Sequence, residues 1–183
     1  MKRIYGGLLP TPKEKQKFSF GGVFGYIDPK LLPEEFSIGE PIEIKDQGNN
    51  FTCVAQSLCS VSEYQEGIAL EPAYTIKLIS ELIGDPNWVF VGTSLETGAK
   101  AALRGFLTRQ NAPHSVEKDG VVYCANFANL PLPYNEIAMK HAKSAWYWIG
   151  TSGGSMFDKI RGAMYQFKDE HRAIQTGVMW CNE

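Results

Sequence analysis

A turn that contains glycine and asparagine, residues 48–50, leads into residues 53–66, which contain neither glycine nor proline. Glycine and proline interrupt helices, so their absence leaves room for a helix of about four turns. The apolar residues of the stretch recur at the spacing of one helix face: Val54, Leu58, Val61 and Tyr64. The sequence therefore predicts a helix that begins at Cys53 and packs one face against a core.

Two further helices are predicted in the first part of the chain. Residues 72–83 carry Pro72 in the first turn and are followed by Gly84, which is the usual order of these residues around a helix. Residues 94–108 begin at Ser94, whose hydroxyl can cap a helix N-terminus. These three helices predict a helical lobe over residues 41–111.

The pattern changes after residue 111. Residues 115–125 are predicted to form a strand or one arm of a hairpin, and short apolar runs at 144–149 and 173–180 are predicted strands. Helices are expected at 133–142 and 156–167. We interpret Trp146, Tyr147 and Trp148 as core residues, with a protein interface as the alternative. Residues 112–183 would then form a partial, β-rich lobe, and the fold class is α+β.

Residues 1–40 are interrupted repeatedly by glycine and proline, which excludes long helices and predicts an extended surface arm. The aromatic residues expected to anchor this arm by packing are Tyr5, Phe18, Phe20, Phe24 and Tyr26. The 183 residues suit one compact domain or two small lobes that share an interface.

Charge and composition argue against several classes of protein. The formal net charge is -2 and the basic residues are scattered, so no nucleic-acid partner is expected. No apolar run approaches the roughly 20 residues that span a bilayer, and the N-terminus has no secretory signal pattern. The four cysteines form no Cys-x-x-Cys pair, and no two histidines are three or four positions apart. We therefore expect no metal site.

Gln47 precedes Cys53 by six positions, and Ala55 and Ser57 follow the cysteine. This arrangement resembles the nucleophile segment of papain-like cysteine peptidases, Gln-Gly-x-x-x-x-Cys-x-Ala-x-Ser. Three less specific segments also resemble parts of that family. Residues 70–74 resemble the start of its second helix, and residues 92–98 resemble the glycine-rich turn beside its cleft. Residues 172–180 resemble the strand that precedes its histidine-bearing strand. The intervals are similar to those of bacterial and phage-borne members.

The resemblance implies a papain-like fold, in which a helical N-terminal lobe carries the nucleophile helix and an incomplete mixed or antiparallel β lobe follows. Cys53 would be the nucleophile, and Gln47 would donate to the oxyanion. Gly92, Thr93 and Ser94 would bind the substrate backbone. The implied reaction is hydrolysis of a peptide or protein through a thioester, without metal or organic cofactor, in a cytoplasmic or phage- or virus-associated protein.

A cysteine attacks as the thiolate, so the pKa of Cys53 has to fall from its resting value of about 8.5. The unpaired N–H groups and the dipole at a helix N-terminus supply part of this shift. A histidine should supply the rest, and in papain and the cathepsins it lies about 130–150 residues after the cysteine. The histidines of this chain, His114, His141 and His171, are 61, 88 and 118 positions downstream of Cys53.

We therefore expect the general base beyond residue 183 or on another chain that completes the fold. The chain would then be a fragment of an enzyme or one component of it. The alternative is a papain-like module without catalytic activity, which would act as a structural or protein-binding component.

Overall fold

A computed structural model describes residues 8–9, 19–37, 39–111, 115–123, 135–149, 155–167, 169 and 174–175. These residues contain six α-helices: α1 (Phe20–Phe24), α2 (Cys53–Glu66), α3 (Pro72–Ile83), α4 (Leu95–Ala102), α5 (Asn135–Met139) and α6 (Met156–Gln166). Two 3-10 helices lie at Pro29–Leu31 and Pro86–Phe90. No helix in these ranges is both long enough and apolar enough to cross a membrane.

Five short strands accompany the helices: β1 (Leu8–Leu9), β2 (Ile44–Asp46), β3 (Thr93–Ser94), β4 (Val116–Lys118) and β5 (Val121–Tyr123). β1 pairs with β3 in parallel. β5 lies at the centre of a three-stranded mixed sheet, parallel to β2 and antiparallel to β4. The chain is therefore a mixed α+β protein, as the sequence predicts.

The main core lies where α2, α3 and α4 pack together with the second 3-10 helix. Its fully buried side chains include Ala55, Ala73, Ile76, Ile79, Trp88 and Leu107. The Trp88 indole donates a hydrogen bond to Ser80 Oγ at 2.7 Å, so this ring is fixed in orientation as well as buried. This core holds α2 in place, and α2 carries Cys53 at its N-terminus.

The predicted helices at 53–66 and 72–83 are confirmed, and both end at a glycine in the left-handed conformation. Gly67 has a φ of 69° and Gly84 a φ of 76°. The Glu71 carboxylate accepts a hydrogen bond from the Ala73 N–H at 2.9 Å and caps α3, with Pro72 as the first helical residue. Local sequence signals determine both ends of α3.

The third predicted helix is correct at its start and wrong at its end. Ser94 caps α4 as expected, but the helix stops at Ala102 and not near residue 108. Gly105 then takes a φ of 103°, and a Cβ at this position would lie 1.9 Å from the Ala138 carbonyl oxygen. Phe106 N donates to that oxygen at 3.2 Å. The close approach of α5 therefore draws the chain out of the helix.

In the second part of the chain, the hairpin is confirmed as β4 and β5, joined through Asp119 and Gly120 with φ values of 53° and 78°. The helices predicted near 133–142 and 156–167 are present as α5 and α6. The strand predicted over 144–149 is wrong, because this segment makes only one isolated bridge, between Trp148 and Ser19. Most of the strand predicted over 173–180 lies outside the described residues.

In the N-terminal arm, the expected absence of long helices is confirmed over residues 19–37, where α1 has five residues. Phe20 is buried, and its ring lies against Phe24, Tyr26 and Phe167 at centroid distances of 5.1, 5.8 and 5.8 Å. The anchoring predicted for Phe20 is therefore confirmed, and Phe24 also packs against Phe167 at 5.2 Å. Tyr26 is 38% exposed, and its ring meets Phe20 of the same arm and the Lys159 ammonium. Tyr5 and Phe18 lie outside the described residues.

The small mixed sheet joins the two predicted lobes, because β2 belongs to residues 41–111 and its partner β5 to residues 112–183. β2 is also tied to α2 by a buried ion pair. Lys45 Nζ lies 2.5 Å from Glu63 Oε2, and these side chains are only 2% and 1% exposed. β2 is thus fixed against the helix immediately before the turn that leads to Cys53.

Candidate active site

Cys53 is the first residue of α2 and is partly exposed. The residue before it, Thr52, is 1% exposed and makes no capping hydrogen bond with its side chain. The backbone N–H groups of the first helical turn therefore have no capping hydroxyl on them. The backbone N–H groups of Val54 and Cys53 act to lower the pKa of the thiol. This arrangement favours negative charge on the sulfur or on a group bound beside it.

Burial nevertheless raises the pKa of the Cys53 thiol above its ordinary value, and this effect exceeds the lowering caused by the N–H groups of Val54 and Cys53. Burial makes the thiolate costly to desolvate, and no charged side chain of the described residues contributes to this pKa. The helix N-terminus therefore does not acidify Cys53 by itself. The reduction in pKa that the sequence argument requires would have to come from a further positively charged group.

His141 does not supply that group. Its Nδ1 lies 2.6 Å from Glu66 Oε2, and Lys143 Nζ also contacts Glu66. Glu66 is the last residue of α2, 13 positions after Cys53. At about 1.5 Å of rise per residue, this places Glu66 about 20 Å from Cys53. His141 therefore has a structural role at the far end of the helix, and His114 and His171 lie outside the described residues.

Cys59 provides an internal comparison for Cys53. It is completely buried, and burial raises the pKa of its thiol to about 12. Its Sγ lies 3.2 Å from Thr75 Oγ1 in the contact between α2 and α3. Cys59 is a core residue, whereas Cys53 is open to reagents.

Gln47 lies in the turn between β2 and α2 and is partly exposed. Asp46 Oδ1 accepts a hydrogen bond from Gly48 N at 2.7 Å, and Gly48 has a φ of 60°, a conformation that glycine adopts easily. Asn50 N donates to the Gln47 carbonyl at 3.3 Å. The backbone of the turn is thus ordered by its own hydrogen bonds while the Gln47 side chain remains at the surface.

Gly92, Thr93 and Ser94 lie at the start of α4. Gly92 has a φ of 96°, and its N–H donates to the Trp88 carbonyl at 2.6 Å. Ser94 Oγ accepts from Thr97 N at 3.2 Å and caps the helix. Thr93 is only 3% exposed, because this segment pairs with β1.

Two contacts bring the Gly92–Ser94 segment to the N-terminal end of α2. Phe51 N donates to the Val89 carbonyl at 2.6 Å, which ties the loop before Cys53 to the 3-10 helix before Gly92. On α4, a Cβ at Gly98 would lie 2.7 Å from Val54 Cγ1, so the two helices touch at the residue after Cys53. The structure therefore connects the Gln47 turn, Cys53 and the Gly92–Ser94 segment around one helix terminus.

The N-terminal arm occupies one edge of this region. Leu8 aligns with Thr93 and Leu9 with Ser94 in a parallel pair of strands. The backbone edge that the sequence assigned to substrate binding is thus paired with the chain's own residues 8–9.

Sequence reasoning missed a contact that brings Gln175 to α2. Gln175 Nε2 donates to Ser57 Oγ at 2.6 Å and to the Val54 carbonyl at 2.9 Å. The Ser57 hydroxyl in turn donates to the Cys53 carbonyl at 2.8 Å. The position of Ser57 in the motif was the available signal, but nothing in the sequence pointed to its partner 118 positions away.

A second feature that the sequence did not reveal is the side chain of Gln56, one helical turn after Cys53. Gln56 is 6% exposed, and neither its amide nitrogen nor its amide oxygen has a hydrogen-bond partner in the part of the chain that the structure describes. Within the described ranges, no group of three or more histidine, cysteine or acidic side chains could hold a metal ion.

No protein-family model matches this chain, and no curated protein or solved structure matches it either.

Proposed function

We propose that this chain has a papain-like fold and forms the nucleophile-bearing part of a cysteine peptidase. Cys53 would attack the carbonyl carbon of a peptide bond and form a tetrahedral intermediate. The Gln47 amide and the Cys53 backbone N–H would donate hydrogen bonds to its oxyanion. The amine product would leave with a proton from the general acid, and water would hydrolyse the Cys53 thioester.

One observation carries this proposal: Cys53 is partly exposed at the first position of a long, well-anchored helix whose first turn has no side-chain cap from Thr52. A donor aimed at a developing oxyanion is worth about 3 kcal/mol of barrier, so two such donors would account for much of the catalysis. The ordered turn before the cysteine and the tethered Gly92–Ser94 segment lie at the same end of α2. They would provide the second donor and the substrate-binding edge.

The raised pKa of Cys53 defines what the proposed enzyme still requires. At its ordinary pKa of 9.0, only about one thiol in a hundred is ionised at pH 7, and a raised pKa lowers that fraction further. We place the histidine that would activate the thiol beyond residue 183 or on another chain. Gln175 lies against α2 one turn from Cys53, so a segment that follows it in sequence would begin close to the nucleophile.

A papain-like module that binds proteins without cleaving them is the second candidate. Two observations favour it: burial raises the pKa of Cys53, and β1 occupies the Thr93–Ser94 edge. Such a module would retain the fold and the partly exposed thiol but would show no preference for peptide-based reagents. This difference separates the two functions in a labelling experiment.

The experiment compares two thiol reagents, an irreversible peptidyl epoxide and iodoacetamide, and measures the rate of modification of each cysteine by peptide mapping. The ratio of the two rates at Cys53 is the readout, because simple exposure of the thiol affects both reagents. A peptidase predicts that this ratio is at least tenfold higher at Cys53 than for free cysteine. A ratio equal to that of free cysteine would refute the peptidase and leave the binding module.

A further inference from the structure

The partly buried side chain of Gln175 contacts the first turn of α2, where Cys53 lies. Its Nε2 donates to Ser57 Oγ at 2.6 Å and to the Val54 carbonyl at 2.9 Å. Ser57 Oγ in turn donates to the Cys53 carbonyl at 2.8 Å. We call these three hydrogen bonds the Gln175 clamp.

Gln175 selects one orientation of the Ser57 hydroxyl. A serine inside a helix can turn its hydroxyl to solvent or donate to the carbonyl four residues earlier. The amide hydrogen from Gln175 occupies a lone pair of Ser57 Oγ, and the single hydrogen of the hydroxyl stays available for a carbonyl. Because such linked hydrogen bonds strengthen one another, Gln175 acts on the Cys53 carbonyl through Ser57.

The clamp restrains a helix end that lacks the usual restraint. Thr52 makes no capping hydrogen bond with its side chain, and helix ends without caps are prone to fray. The carbonyls that the clamp holds, those of Cys53 and Val54, both belong to this first turn. Gln175 therefore fixes the turn from its carbonyl side, where Thr52 leaves its N–H side without a hydroxyl.

The carbonyl that Ser57 holds belongs to the residue that carries the thiol. A peptide unit is planar, so the Cys53 carbonyl and the Val54 N–H point in fixed and opposite directions. Holding the carbonyl therefore also sets the direction of the Val54 N–H. Because hydrogen bonds weaken steeply as their angle closes, a rotation of this peptide unit would change what its N–H can stabilise.

The direction of this N–H matters because little else favours the Cys53 thiolate. Burial raises the pKa of the thiol, and the N–H groups of Val54 and Cys53 oppose that effect. Among the residues that the structure describes, no ionised side chain adds to this opposition. The backbone of the first turn is therefore the feature that can tune the charge of the sulfur.

We propose that Gln175 and Ser57 are positioning residues for Cys53, which hold the Cys53–Val54 peptide unit so that its N–H supports negative charge at the sulfur. The reactivity of the thiol then depends on a residue 121 positions after Val54. This inference concerns the thiol on which the proposed function rests, but it does not require that Cys53 cleaves peptides.

The test measures the rate at which iodoacetamide alkylates Cys53 as a function of pH, by peptide mapping of the 183-residue chain. Gln175→Leu removes the donor, and Ser57→Ala removes the link to Cys53. Each should raise the midpoint of the pH profile by about 0.5 to 1 pH unit. The rate at the plateau should not fall, because a thiolate of higher pKa is at least as nucleophilic. Greater exposure of the thiol would instead lower the midpoint or change the rate at every pH.

Two serine variants are the matched controls. Ser60 Oγ donates to the Gln56 carbonyl at 3.3 Å, which is the same kind of bond on the same helix but outside the clamp. Ser60→Ala should therefore leave the midpoint unchanged. Ser57→Thr keeps the hydroxyl and should behave like the wild-type chain. Cys59 is completely buried, so its failure to react in each variant shows that the core stays closed.

The double variant Gln175→Leu with Ser57→Ala should shift the midpoint by much less than the sum of the two single shifts, because both substitutions break one chain of hydrogen bonds. The proposal is overturned if either single variant keeps the wild-type midpoint, if the two shifts add, or if Ser60→Ala shifts it equally. If Gln175→Leu does not fold, the comparison of Ser57→Ala with Ser57→Thr decides.

This experiment and the test of the peptidase can fail separately. Shifted midpoints in a chain whose Cys53 shows no preference for the peptidyl epoxide would refute the peptidase and support the clamp. Unshifted midpoints in a chain that does prefer the epoxide would refute the clamp alone.

Discussion

The buried pair of Lys45 and Glu63 gives the sharpest stability prediction. In the wild-type chain the Leu70 N–H donates a hydrogen bond to Glu63 Oε1 at 2.7 Å. Glu63→Gln keeps the shape of the side chain and an oxygen that can accept this hydrogen bond. The substitution removes the carboxylate charge that pairs with the Lys45 ammonium, which is 2% exposed. The other carboxylate near this ammonium is that of Glu43, 3.5 Å away. Breaking a buried pair from one side costs about 3–5 kcal/mol. Because Glu43 remains, we expect a loss of about 3 kcal/mol in the free energy of unfolding.

The double variant Lys45→Met with Glu63→Gln removes both charges and should unfold within about 1 kcal/mol of wild type. Urea denaturation followed by tryptophan fluorescence measures these differences. With a slope near 2 kcal/mol per molar, Glu63→Gln should lower the midpoint by about 1.5 M. A loss below 1 kcal/mol for Glu63→Gln, or a double variant less stable than the single one, would refute this reasoning.

Three further predictions concern the site. Gly98→Ala should lower the free energy of unfolding by about 1–2 kcal/mol in urea denaturation, because overpacking against Val54 exceeds the gain in helix propensity. The loss should be smaller in a Val54→Ala background. If the effects of the two substitutions simply add, the contact between these residues is contradicted. Alkylation of Cys53 should accelerate only as the pH rises past 9.0, because burial keeps its thiol protonated; a Cys53 midpoint below 9.0 would contradict the burial argument. Cys59 is completely buried and should stay unmodified while the protein is folded. Deleting residues 1–10 should free the edge of β3. The reaction of Cys53 with a peptidyl epoxide should then become faster, and its reaction with iodoacetamide should not. Equal acceleration of the two reactions would indicate only that the thiol is more exposed.

Sequence reasoning succeeded where the signals are local. Pro72 and Gly84 fix both ends of α3, and the residues before Cys53 mark the start of α2. It failed where distant parts of the chain decide. The predicted helix ran through Gly105, which was a local stop signal, but the contact with Ala138 that requires a glycine there cannot be found from the sequence around it.

In the candidate site, too, local features could be predicted from the sequence and long-range contacts could not. The position of Cys53 at a helix start follows from its own segment, whereas the raised pKa of its thiol depends on what surrounds it in the fold. The contact of Gln175 with Ser57 and the pairing of β1 with β3 join segments far apart in sequence. No periodicity or motif in one sequence identifies such partners.

The central claim is that the Gln47 amide and the Cys53 backbone N–H donate hydrogen bonds to the oxyanion that forms when Cys53 is acylated. An activated peptidyl ester tests it, because a good leaving group lets Cys53 be acylated near pH 9 without a general acid. The acylation rate is read from the intact mass. We predict that Gln47→Ala slows acylation about 100-fold and leaves alkylation by iodoacetamide unchanged, since only acylation forms an oxyanion. Asn49→Ala, in the same turn, should change neither rate. Equal acylation of Gln47→Ala and wild type would contradict the claim.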